Sequence, residues 1–62
     1  MENESEQLLI ITEIKDLSGQ QYEAEQYAML LGGWQADAIE KYIERGNRID
    51  SLRIKLADIR AA

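Results

Sequence analysis

The chain is 62 residues long, carries 45% hydrophobic residues and a net charge of −5, and contains no cysteine, histidine or proline. A domain of this length buries only about 60% of its unfolded surface, so it must rely on regular packing or association; disulfides and the thiolate and imidazole ligands of a structural zinc site are excluded. The same absences remove the residues that most often carry acid–base and nucleophilic catalysis at neutral pH, and no enzymatic activity is expected.

Asn3-Glu4-Ser5-Glu6 has the form of a capping box, which predicts that helix 1 begins near residue 4. The apolar run Leu8-Leu9-Ile10-Ile11 follows Glu2, Glu4 and Glu6, a charge order that argues against a secretory or transit peptide. No span reaches membrane length, and zero cysteines suit a reducing compartment, so a cytoplasmic setting is expected, the host's if the chain is phage-encoded. The isoleucine-rich stretch from Leu8 to Ile14 would suit a strand in isolation, but there is no second strand to pair with it. Ser18-Gly19 is the weak point of helix 1, because glycine costs about 1 kcal/mol in a helix interior and Ser18 with Gln21 offers a fresh cap; a kink or break is expected there. Gly32-Gly33 then ends the helix at residue 31, since glycine accepts the left-handed conformation that closes helices. Residues 32–36, including Trp34, form the predicted turn. Asp37 with Glu40 marks the next cap, and helix 2 is predicted over 38–60, with Gly46-Asn47 interrupting its propensity. A single continuous helix through two adjacent glycines is the minority alternative.

One heptad register links these elements. Its a and d positions run 10, 14, 17, 21, 24, 28, 31, 35, 38, 42, 45, 49, 52, 56 and 59, and twelve of the fifteen are apolar where composition alone supplies about seven. The predicted oligomer seam is Ile10, Ile14, Leu17, Leu31, Tyr42, Ile49, Leu52, Leu56 and Ile59. Gln21, Gln35 and Arg45 are its polar members, of the kind that fix register or oligomer state; the alternatives are that Gln35 sits in the turn and that Arg45 extends its head to solvent while its stem packs. Residues 1–31 hold seven acids and one base, whereas 32–62 hold six bases and five acids, so antiparallel halves would attract. The expectation is an all-α helical hairpin, a single domain with coiled-coil-like packing, that dimerises into a helical bundle.

The chemistry-bearing patterns are weak. Glu40 with Glu44 and Glu2 with Glu6 lie one helical turn apart, but the Glu-x-x-His partner of helical di-metal sites is missing, so they read as solvated faces; no metal or cofactor is expected. Gly32-Gly33 lacks the lysine of a phosphate-binding loop. Tyr27-Ala28-Met29-Leu30-Leu31-Gly32, followed by Ala38-Ile39 and Tyr42-Ile43-Glu44-Arg45-Gly46, resembles the helix-turn-helix of small phage-type repressors over about a third of the chain. That resemblance implies that Ala28 and Gly32 fit a tight helix crossing and that Ile39 anchors a recognition helix. Gly33 makes the turn one residue longer than the family spacing, and Asp37 with Glu40 place acids where phosphates would lie, so nucleic acid is not the favoured partner.

More apolar residues lie off the seam than one hairpin covers: Ile11, Tyr22, Tyr27, Met29, Leu30, Trp34, Ile39, Ile43 and Ile54. Some widen the core of a homodimer. Tyr27, Leu30 and Trp34, grouped around the turn, are the candidate anchors for a partner protein, because aromatics dominate interface hot spots. The expected function is a small non-enzymatic regulator or inhibitor that occludes a partner protein, of the sort that phages and mobile elements carry. A helix-turn-helix transcription regulator ranks second and a structural oligomerisation module third.

Overall fold

A computed structural model describes residues 2–61 as two α-helices, α1 over Glu2–Leu31 and α2 over Ala36–Ala61, folded back on each other. No strand occurs among the described residues. The molecule is a rod of 46 × 14 × 13 Å. Cross-helix partners run from Gln7 with Arg60 to Gln21 with Tyr42, so the helices are antiparallel along their length.

Helix α1 begins two residues earlier than the capping box predicts. Asn3 is already helical and so cannot serve as the cap; Glu4, in the first turn, complements the positive end of the helix dipole instead. The helix continues through Ser18-Gly19 without a break in its span. The packing of Leu17, Gln21 and Ala24, all partly covered, outweighs the local cost of one glycine.

The chain reverses through a Schellman motif. The amide of Gly32 donates to the Met29 carbonyl at 3.2 Å and that of Gly33 to the Ala28 carbonyl at 2.9 Å, which satisfies two of the last free carbonyls of α1. Both glycines have positive φ, 76° and 156°, where a Cβ is strained. Helix α2 then starts at Ala36 rather than 38. The Gln35 carbonyl accepts the first bond, from the Ile39 amide at 3.0 Å, so Gln35 holds the cap position. Asp37 sits inside the first turn, where its Oδ1 accepts from the Ala38 amide at 3.0 Å. The turn is therefore residues 32–35. Gly46-Asn47 lies within continuous helix.

The a/d seam closes within one chain. Ile10, Ala28, Ile49 and Leu52 are buried, and Ile14, Leu17, Tyr42, Leu56 and Ile59 are partly covered between the helices. Two a/d positions lie outside this intrachain seam. Leu31, the last residue of α1, is 50% exposed because the chain turns away at Gly32, and Gln35 is exposed at the cap of α2. The two remaining polar members satisfy each other: Arg45 Nε donates to Gln21 Oε1 at 2.7 Å, and Gln21 Nε2 donates to the Tyr42 carbonyl at 2.9 Å. Gly46, one turn beyond Tyr42, leaves that carbonyl open; a Cβ there would lie 3.7 Å from Gln21 Nε2.

With Ile14 at position a, the ion pairs identify the two flanks of the hairpin. Arg48 makes a two-pronged contact with Glu13, at 2.9 and 3.3 Å, and Lys55 lies 3.7 Å from Glu6, all four at g positions. These pairs join the acidic first half to the more basic second half, as the charge asymmetry implies. Their side chains are exposed, and each pair contributes no more than about 1 kcal/mol. The e positions, among them Ile11, Ser18, Ile39 and Gly46, lie on the opposite flank. No described helix is long and apolar enough to cross a membrane.

Candidate protein-binding surface at the turn

The exposed apolar residues concentrate near the turn. Tyr27, Met29, Leu30 and Leu31 project from the last turns of α1, and Ile39 and Ile43 from the first turns of α2. The buried Ile10, Ile49 and Leu52 lie toward the other end. Trp34 stands between the helix ends and packs on Tyr42, with ring centroids 4.8 Å apart and planes tilted by 59°. That tilted geometry is favourable for aromatic pairs and holds the indole in place. The Tyr42 hydroxyl in turn donates to Glu25 Oε2 at 3.1 Å. Donation to a carboxylate raises the Tyr42 pKa, with burial and the negative charge of Glu25 acting in the same direction and Arg45 opposing them.

Trp34 divides the surface in two. On the g flank a groove of about 410 Å³ is lined by Tyr27, Ala28, Leu31, Trp34, Ala38 and Arg45. On the e flank a shallower depression of about 800 Å³ lies among Met29, Trp34, Ile39 and Tyr42, with Glu25 at its edge. The three sequence-predicted anchors thus share one end of the rod. Tyr27 and Trp34 line the g-flank groove, and Leu30, 85% exposed, lies beside it on the outer surface. Trp34 is the least free of the three, 39% exposed and committed in part to Tyr42.

Leu31 and Ala38 complete the groove, although the heptad pattern assigns both to the seam. Their position next to the turn is the signal that separates them, since a seam opens where the chain reverses. Tyr42 likewise reads as a core residue, and its work as the support of Trp34 depends on the turn geometry.

A helix-turn-helix places two short helices at a wide angle. Here α1 and α2 run antiparallel side by side, and Ile39, which would anchor a recognition helix, is 41% exposed. Among the described residues no group of three His, Cys, Asp or Glu side chains is placed to hold a metal ion. Comparison with family models, with curated proteins and with solved structures finds no match. The geometry of the hairpin is therefore the basis for a functional reading.

Proposed function

We propose that the chain is a non-enzymatic regulator or inhibitor that binds another protein through the turn end of the hairpin and occludes it, as accessory proteins of phages and mobile elements do in the cytoplasm of their hosts. The observation that carries this reading is the concentration of exposed apolar side chains around a braced tryptophan, at the end of the rod away from its best-packed core. Large rigid side chains lose little conformational entropy on binding, and a preformed helical surface loses less still. Tyr27 and Leu30 act as the insertion residues. Trp34 forms the wall against which the partner packs.

The test is co-purification from cells expressing the protein, followed by titration of the recovered partner. Leu30→Glu and Tyr27→Ala are expected to weaken binding at least tenfold with helicity and melting unchanged. Unaltered affinity in both variants would remove the turn surface as the site. Sequence-specific binding to duplex DNA, lost on substitution of Lys41 and Arg45 and falling steeply with salt, would replace this reading with a transcription regulator.

A further inference from the structure

A second surface, on the flank away from the ion pairs, is built differently from the rest of the exterior. The g flank with its adjoining c positions carries seven acids and three bases from Glu6 to Asp58. The e flank with its adjoining b positions carries Glu4, Glu25 and Asp50 against Lys15, Arg53 and Arg60, a balance of three and three. Between those charges stand Leu8, Ile11, Tyr22, Met29, Ile39 and Ile43, five of them exposed large apolar residues and Ile11 half-covered. Ser18 and Gly46 occupy the middle of this face and let a neighbour approach closely. Two copies meeting through the g flank would bring net negative surfaces together, whereas the e flank meets itself without net repulsion.

The exposed surface is also large enough for such an interface. The chain exposes 4907 Å². A compact monomer of its 7.1 kDa exposes about 4100 Å². The excess, about 800 Å², is the share that each partner contributes to a standard interface.

We propose that a second copy of this chain docks on the e flank, with the two turns at the same end and a two-fold axis along the rod. In that arrangement α1 of one copy lies over α2 of the other, antiparallel, at the level its own α2 occupies. Tyr22 meets Ile43 of the second copy, Lys15 meets Asp50, Glu4 meets Arg60, and Ser18 crosses Gly46. Turning one copy end for end instead sets α1 over α1, where neither Lys15 nor Glu4 finds an opposite charge at its level. The product is a four-helix bundle in which each α1 is flanked by two α2 helices. The pairing covers Met29, Ile39 and Ile43 of the exposed set around the turn and leaves Tyr27, Leu30 and the g-flank groove open, so substitutions at Tyr22 and Ile43 test it while those at Tyr27 and Leu30 test the proposed partner site.

Sedimentation equilibrium of the full chain, with circular dichroism on every variant, tests it. The wild type is expected to be dimeric in the tens of micromolar range; a monomer there overturns the proposal. Ile43→Glu and Tyr22→Glu are expected to give helical monomers, whereas Leu9→Glu on the opposite flank leaves the dimer intact. The reverse pattern would place the interface elsewhere. Lys15→Glu and Asp50→Lys are each expected to weaken association on the order of tenfold, because a symmetric dimer contains each pair twice, and the double variant is expected to restore it. These exchanges lie on exposed surface and keep the test usable if Ile43→Glu fails to fold. Failure of the double variant to recover overturns the arrangement.

Discussion

Gly32 is where a single Cβ matters most. Its φ of 76° is left-handed, and its surroundings are open, so the penalty of a substitution comes from the backbone and not from collision. Gly32→Val is expected to cost about 1–2 kcal/mol or more. Gly19 is the contrasting case: it is helical, nothing lies within 4 Å of a Cβ built there, and Gly19→Ala is expected to stabilise by about 0.5–1 kcal/mol. Denaturant midpoints of the two variants check the order. Burial sets a second contrast on α2. Leu52, 4% exposed, is expected to cost about 2–4 kcal/mol on truncation to alanine, whereas Ile54, two residues on and facing solvent, is expected to cost less than about 0.5 kcal/mol. The amino-acid pattern alone distinguishes these two residues, because the heptad period places one at d and the other at f. It does not show that Gln21 and Arg45 bond to each other. Each polar seam residue is legible singly, but their pairing depends on which residues of α1 and α2 share a level, and the length of the turn sets that.

Each helix is stable for a different reason. Helix α2 has an apolar stripe from Ala38 to Ile59 against a charged remainder, the pattern of a surface helix. Helix α1 carries apolar residues around much of its circumference, with Leu8, Leu9, Tyr22 and Leu30 off the seam, so its packing on α2 leaves much of it uncovered. The two elements are tied near the turn by the Tyr42 hydroxyl on Glu25, and that tie has a pH signature. The Tyr42 pKa is higher in the folded chain than the ordinary phenol value of about 10. The folded state therefore holds the proton more tightly, and the contribution is fully present below that ordinary value and lost as pH rises through the raised one. Tyr42→Phe is expected to lower the melting temperature near neutrality, with the difference from wild type shrinking at strongly alkaline pH. A constant difference across that range would assign the loss to packing against Trp34 instead. The existence of both helices and the break at Gly32-Gly33 were legible from periodicity and from glycine chemistry. The starts of α1 and α2 were not, because Asn3 and Asp37 suit the first helical turn as well as the cap.

Along the rod the larger buried side chains sit away from the turn and most of the exposed apolar ones sit beside it, although Leu8, Leu9 and Ile54 are exposed at the remote end and Ala28 is buried near the turn. Ile10, Ile49 and Leu52 bury themselves in the half remote from the turn, while the half that includes the turn holds the grooves on either side of Trp34. Substitutions at Tyr27 and Leu30 are therefore expected to leave thermal melting within a few degrees of wild type, and a large loss would show that these residues belong to a core formed by association. If two copies pair through the e flank, the g-flank groove remains open on both sides of the bundle, and the assembly offers the same surface twice. Linked in this way, two modest contacts become one strong one when the partner also presents two sites. The heptad letters sort the apolar surplus into these two flanks. Which flank carries the ion pairs is decided by residues such as Glu13 and Arg48, far apart in sequence and level with each other only once the chain has reversed.

The tightness of that reversal also bears on how the chain finds its fold. Bringing Ile10 directly to Ile49 from an open coil closes most of the chain at once, whereas starting from residues 32–35 and adding one rung at a time closes a loop of a few residues. The logarithmic cost of loop length favours the second route by about 2 kcal/mol. The Gly32-Gly33 bonds thus make the turn the natural first event, with the helices zipping from it toward the Gln7–Arg60 end. Under that order Gly32→Val slows refolding in proportion to its loss of stability, while Leu52→Ala, acting on rungs formed later, mainly accelerates unfolding.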